Sequence, residues 1–205
     1  MNAFDVVRGL ECSLAKYTGA PFAVAVNSGT SALQLALEYW AMADQVVEIH
    51  LPDRTYRSVA NMADRAGLAV IFHKKAWRGV YQLKPTNIWD CALRLAPGMY
   101  KAGTIQCLSF HPQKPLACSA GGGAILHDDP VMDKWLIKMR FDGRDEGVSI
   151  HDSSWDVIGA HCYMFPGQAG EALHRLEIYA AKYPKKAPDT EQPKYESLNS
   201  KWRWG

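Results

Sequence analysis

The sequence has no charge excess of either sign: 23 Lys and Arg stand against 21 Asp and Glu, a formal net charge of +2. That argues against the dense cationic field by which nucleic-acid-binding domains hold phosphate backbones. No basic run with interleaved aromatics occurs before the closing tail. Long apolar runs are missing too, none nearing the roughly 18 residues of a membrane span, so no membrane partner is expected. The opening MNAFDVVRGLECSLAKY lacks a basic region followed by an apolar core and reads as no secretory leader. Paired cysteine motifs are absent. Cys12, Cys91, Cys107, Cys118 and Cys162 are scattered, odd in number and free of CxxC spacing, as expected of buried thiols in a cytoplasmic protein. Internal repeats are likewise lacking.

What remains is an ordinary globular composition, 48% apolar and 21% charged over 205 residues, enough for one compact core. Apolar strands alternate with amphipathic helices. Asn2 can cap a helix with Phe4, Val7, Leu10 and Leu14 at helical spacing, ending at Gly19. FAVAV (22–26) is a strand, followed at once by NSGTSALQLALEYWAM, where Leu33, Leu37 and Trp40 mark a helical face. VVEIHL (46–51) and AVIFH (69–73) are strands, separated by the helix TYRSVANMADRAG, which Gly67 closes at its C′ position. Residues 87–90, 105–109 and 123–126 supply three more strands. Asp128-Asp129-Pro130 opens a helix carrying Val131, Trp135 and Met139, and a last helix covers 169–183. This order predicts an α/β domain with a mostly parallel sheet covered on both faces, spanning residues 1–183. From Pro184 the chain holds too many prolines and charges for a packed element and reads as an extended tail. Its closing Trp202, Arg203 and Trp204 suggest docking.

Three stretches carry chemistry. NSGTSAL sits between a strand and a helix, where free backbone N–H groups and the positive dipole end suit a phosphate. Thr30 and Ser31 add hydroxyls, and Gly29 lets an anion approach the backbone. An ordinary helix cap would use the same residues. Asp90 closes the short strand of NIWDC, where a carboxylate can face a ligand across the strand ends or simply cap a turn. In LSFHPQKPLACSAGGGAIL, Lys114 is held between Pro112 and Pro115 beside a strand end and a glycine turn. A lysine near a phosphate site and an aspartate suits pyridoxal 5'-phosphate, with the amine as Schiff-base partner and the carboxylate on the pyridinium.

VAVNSGTSALQLAL, PDRTYRSVANMADRAG, WDCALRL, LSFHPQKPLACSAGGGAIL and KMRFDGRDEG resemble, in order, the landmarks of the DegT/StrS sugar aminotransferases, fold-type I pyridoxal-phosphate enzymes. The resemblance covers about residues 20–143, and more faintly YMFPGQAGEALHRLE. It implies that Lys114 is the Schiff-base lysine and proton shuttle and that Asp90 partners the pyridinium. Thr30, Ser31 and Ser109 would hold the phosphate, Tyr56 would stack on the cofactor ring, and His111 would lie close by. A lysine at position 114 favours amino transfer over the related dehydratase type, which carries histidine there. The implied donor is glutamate or glutamine and the acceptor a keto-sugar nucleotide, in a homodimer with the active site at the interface.

The sequence departs from that pattern at several points. Leu93 stands where the family has Gln or His. Between AVIFH and Asp90 some ~50 residues, about one βαβ unit, have no counterpart, and neither does the C-terminal small domain. Pro166 and Gly167 stand where a partner-subunit asparagine usually reaches the phosphate. These departures support an alternative, a non-catalytic module that binds the cofactor or acts as a regulator. Arg140 and Arg144 are candidates for a donor carboxylate or a diphosphate, since Arg contacts either bidentately. A zinc site from Cys107, His111, Cys118 and His127 matches no recognised spacing, and no metal is expected. His50 and His73 read as structural histidines at strand ends.

Overall fold

The computed structural model describes residues 2–43 and 47–199; Val46, Trp202, Arg203 and Trp204 lie outside the described residues. In chain order the elements are α1 (Asp5–Thr18), β1 (Phe22–Val26), α2 (Gly29–Ala43), β2 (Glu48–Pro52), α3 (Arg57–Arg65), β3 (Ala69–His73), β4 (Tyr81–Gln82), β5 (Ile88–Asp90), β6 (Ile105–Ser109), β7 (Gly123–His127), α4 (Pro130–Arg140) and α5 (Pro166–Lys182). Local chemistry explains the boundaries. Val7, Leu10 and Leu14 bury one stripe of α1, which Gly19 ends in the left-handed conformation at φ 77°. Asn2 acts from just outside that helix, its Oδ1 accepting from Phe4 N at 3.0 Å. Asp129 caps α4 by accepting from Val131 N and Met132 N, with Pro130 in the first turn. Helix α5 begins at Pro166, ahead of the apolar pattern, because Gln168 accepts from Phe165 N at 3.1 Å.

Five strands form one sheet in the order β1-β7-β6-β5-β4. Only β5 and β6 pair in parallel there; β1–β7, β6–β7 and β4–β5 are antiparallel. The expected mostly parallel sheet is therefore a mixed one. The cause is the connection after β6, a loop that folds straight back into β7 with no crossover helix. Strands β1, β6 and β5 still run the same way, with β7 reversed among them. Strands β2 and β3 make a separate parallel pair. His50 N donating to Lys84 O at 2.7 Å ties that pair to the chain just beyond β4. The His50 and His73 rings stack there with centroids 4.9 Å apart.

Alternate residues of the strands enter two cores, as burial on both sheet faces requires. Val24, Val26, Cys107 and Ile125 pack with α2, α3 and α4, while Ala23, Ala25, Leu108 and Leu126 pack with α1 and α5. The outer edge of β1 is closed by charge. Glu11 accepts from Ala25 N at 2.8 Å, and Arg140 Nη1 donates to Ala25 O at 2.7 Å. Arg140 also bonds directly to Glu11, and its Nη2 donates to Glu146 at 2.8 Å. Both main-chain groups of an edge residue are thus paired, which removes a template for strand addition.

These bonds occupy Arg140, only 2% exposed, so it is a structural clamp and not the ligand-binding arginine considered from the sequence. The Arg144 guanidinium lies 4.1 Å from the centroid of the Phe141 ring, with Asp142 at 3.9 Å. Removing Arg140 leaves two shielded carboxylates without their counter-charge. Arg140→Ala is expected to lower unfolding free energy by about 3–5 kcal/mol, against under about 1 kcal/mol for Arg144→Ala. Urea unfolding of the two variants checks the contrast.

Residues 184–199 carry no helix or strand, yet they are fastened to the domain. Arg94 grips Asp189 through two bonds of 2.6 and 2.8 Å. Thr190 N donates to Leu93 O, Leu198 N to Asp53 O, and Ser197 Oγ to Asp53 Oδ2, each at 2.8 Å. Leu198 joins the core beneath β2. Gly79, at φ +71°, leaves the space that the Asp189 carboxylate fills.

Candidate active site

Three strands that run the same way finish on one side of the sheet. There β1 leads into Asn27-Ser28-Gly29, β5 ends in Asp90 and β6 ends in Ser109. Carboxyl ends of such strands are where open α/β sheets bind ligands. A cavity of about 400 Å³ lies against them, lined by residues of all three strand ends, of α3 and of the Lys114 loop.

One end of the cavity is the N-terminus of α2. The N–H groups of Gly29 and Thr30 have no acceptor among the described residues, and Thr30 Oγ1 donates to Ser58 Oγ at 3.2 Å, both residues lining the cavity. Ser109 lies against Gly29 so closely that a Cβ on the glycine would fall 2.7 Å from its Cβ. Unpaired helix N–H groups beside three hydroxyls suit a phosphate-sized anion. Ser31 is arranged differently. Its hydroxyl donates to Asn27 Oδ1 at 2.7 Å and meets Ser28 Oγ at 2.9 Å, so it serves the helix cap and does not line the cavity.

The far side holds Asp90 and Lys114. Asp90 is buried, with Oδ1 accepting from Ala92 N at 2.9 Å. Burial pushes its carboxyl up, while the Ala92 N–H, Tyr81 and the Lys114 charge pull it down. Tyr81, behind it, meets Thr55 Oγ1 at 2.6 Å. Lys114 follows a tight turn in which its N–H donates to His111 O at 2.8 Å. Burial lowers the affinity of its amine for a proton, and Asp90 opposes that shift. Its ammonium has no hydrogen bond or ion pair among the described residues. His111 is exposed at the rim, its Nδ1 accepting from Gln113 N at 3.3 Å. Tyr56, 59% exposed at the head of α3, lines the mouth.

The loop presenting Lys114 is closed by main-chain bonds, Phe110 N to Gly122 O and Cys118 N to Phe110 O, both 2.9 Å. Glu171 of α5 buttresses it, accepting from Ser119 N at 2.8 Å and Ser119 Oγ at 2.6 Å. The suggested zinc ligands do not gather. His127 is stacked on Phe22 at the other end of β7, and among the described residues no three His, Cys, Asp or Glu side chains group as a metal site.

Sequence reasoning brought Gly29, Thr30, Tyr56, Asp90, Ser109, His111 and Lys114 to one cavity. It passed over Ser58, Trp77 and Tyr195, which also line it. Ser58 sits on the same helix start as Tyr56 and was within reach of a search for hydroxyls. Tyr195 lies in a tail with no periodicity to betray it.

The Ser119 bonds and Arg175 hold Glu171 at about 2, far below its usual 4.5. A depressed carboxyl stabilises the structure fully above the ordinary range and loses that effect as pH falls towards 2. The protection factor of the Ser119 amide, its exchange relative to an unstructured amide at the same pH, should therefore fall between about pH 4.5 and 2, and Glu171→Gln should flatten that dependence. Hydrogen exchange across this range makes the comparison.

Comparison with solved structures gives the class of this fold. S. venezuelae DesV, solved in complex with a ketimine intermediate, superposes with TM-score 0.67 at 22% identity, over 86% of this chain and 57% of that one. NtdA from Bacillus subtilis, with bound cofactor PMP, gives 0.69 at 17%, over 86% and 48%. The sugar aminotransferase CalS13 from Micromonospora echinospora gives 0.67 at 19%, over 84% and 61%. At these identities the likeness shows the fold, and this chain spans about half to three fifths of their lengths. The family model for the DegT/DnrJ/EryC1/StrS aminotransferases matches residues 2–87 and 99–187, and the chain belongs to that family. Aminotransferases of this family use pyridoxal phosphate. Compared with curated protein sequences, the chain has no match.

Proposed function

We propose that this chain binds pyridoxal phosphate in the cavity and transfers an amino group from glutamate or glutamine to a keto-sugar nucleotide or similar small ketone. The observation that carries the reading is the meeting of an unpaired helix N-terminus, a buried carboxylate and an unpaired lysine in one cavity. Pyridoxal phosphate, when bound, supplies an aldehyde for an amine and a protonated ring that takes up electrons.

The chain's own residues divide the remaining work. Gly29 and Thr30 N–H groups, with the Thr30, Ser58 and Ser109 hydroxyls, would bind the phosphate, and Ser31 supports them through the cap. Asp90 would hold a proton at the ring nitrogen, a charge pairing that strengthens as electrons arrive. Lys114 would hold the aldehyde end of the group and would take and return the proton at the substrate carbon. Its half-buried position leaves more of its amine neutral than in open water, which suits both tasks. Tyr56 would cover the ring from the mouth of the cavity, with His111 at its rim.

The same reading makes the chain a cytoplasmic homodimer with the site at its interface. Apolar side chains left open beyond the cavity, among them Trp155 at 57%, Ile158 at 97% and Phe165 at 51% exposure, support that assembly. Among the described residues no helix is long and apolar enough to cross a membrane.

Absorbance and turnover test the proposal together. The purified chain given pyridoxal phosphate should turn yellow, and an amino donor should bleach it. Lys114→Ala should lose colour and turnover, and borohydride should fix the cofactor to the peptide holding Lys114; fixation on Lys74, Lys75 or Lys101 instead defeats the assignment. Asp90→Asn should keep the cofactor yet slow turnover by about 10²-fold or more, the scale of losing one preorganised electrostatic partner. Cofactor uptake with no turnover on any nucleotide keto-sugar would favour the non-catalytic alternative. Light scattering across a dilution series should show a dimer whose dissociation releases cofactor.

A further inference from the structure

The tail crosses the cavity: Pro193 and Tyr195 line it alongside Asp90, Leu93 and Tyr56. It is anchored on both sides of that crossing, by Arg94 on Asp189 and Thr190 N on Leu93 O before it, and by Ser197 and Leu198 on Asp53 after it. The Tyr195 ring lies nearly parallel to Trp77, 16° between planes with centroids 6.4 Å apart, and Trp77 is fixed by donating to Arg54 O at 2.9 Å. About 400 Å³ remains open with the tail in place, within the ~300–1,000 Å³ usual for small-molecule sites. A segment that plugged the site would have consumed that space.

We propose that residues 189–198 are a wall of the cofactor site, and that the Tyr195 ring is the side chain which closes it over the bound group. This rests on the reading of the cavity as a cofactor site. A flat aromatic face backed by Trp77 offers a ring-shaped ligand apolar contact and excludes water from the Asp90 end, where a dry setting strengthens charge pairing. Burial, with Asp90 and Tyr56 nearby, holds the Tyr195 hydroxyl up at about 12. The wall is therefore uncharged at neutral pH and adds no negative charge beside Asp90. Because the tail docks where the ligand binds, occupancy and docking must favour each other by the same factor.

Pyridoxamine phosphate is the suitable probe, since without an aldehyde it binds without bonding to any lysine. Calorimetric titration of the unaltered chain should show binding. Tyr195→Ala should weaken it by about tenfold or more, and Tyr195→Phe should restore it to within about threefold, because the ring forms the wall. Arg94→Ala, which releases the tail without touching the cavity, should weaken binding in the same direction. Reciprocally, saturating pyridoxamine phosphate should slow chymotrypsin cleavage after Tyr195, read by mass spectrometry, while inorganic phosphate should not. A Tyr195→Ala chain that binds as tightly as the unaltered one, or a cleavage rate indifferent to pyridoxamine phosphate, overturns the wall and leaves the cofactor reading standing. No binding by the unaltered chain overturns both.

Discussion

Gly123 lies so close to the Ser28–Gly29 peptide that a Cβ on it would fall 2.6 Å from Gly29 N. Gly29 in turn has no room for a side chain beside Ser109. These backbone contacts set the start of α2 against the end of β6 and the beginning of β7. Because β7 turns back directly, the Lys114 loop must arch over the same spot. The free N–H groups of α2, the Ser109 hydroxyl and the Lys114 amine are therefore neighbours as a result of glycine packing. Any side chain at position 123 would meet main chain, which cannot swing aside.

Around that contact the domain spends its polar groups in two distinct ways. Arg140 is committed through both terminal guanidinium nitrogens to Glu11, Glu146 and the Ala25 carbonyl, and these bonds hold an edge strand. Asp90 and Lys114 line one cavity, and the Lys114 ammonium has no hydrogen bond or ion pair among the described residues. A buried, bonded charge cluster serves the structure, whereas unpaired groups around a cavity are the usual mark of a candidate binding site. That difference separates Arg140 from Lys114 more sharply than spacing does.

Much of the fold was legible because burial writes itself as periodicity. The α1 stripe of Val7, Leu10 and Leu14 and the buried run FAVAV could be read directly, and AVIFH reads as a strand although none of its residues is fully buried. Strand direction could not, because an apolar run looks the same either way, and the reversal of β7 is decided by the length and glycine content of its loop. Strand β4 escaped because two residues, Tyr81 and Gln82, carry no period. Within the site, Asp90 and Lys114 stood out through strand ends and bracketing prolines. Ser31 bonds within the helix cap, where a hydroxyl looks the same in sequence as one at an anion. The closing aromatics suggest docking of the tail, but its polar composition hid the attachment of residues 184–199, which runs through main-chain bonds, the Arg94–Asp189 ion pair, the Ser197 hydroxyl on Asp53 and the apolar anchor Leu198.

The tail also sets an order in time. Its anchors join residues far apart in sequence, 95 positions between Arg94 and Asp189 and 144 between Asp53 and Ser197. A ribosome delivers the chain from its N-terminus, at roughly 5–20 residues per second. Strand ends, helix cap and lysine loop are therefore all present before the segment bearing Tyr195 emerges. Until that segment emerges, the nascent domain has its cavity open on the side that Pro193 and Tyr195 line.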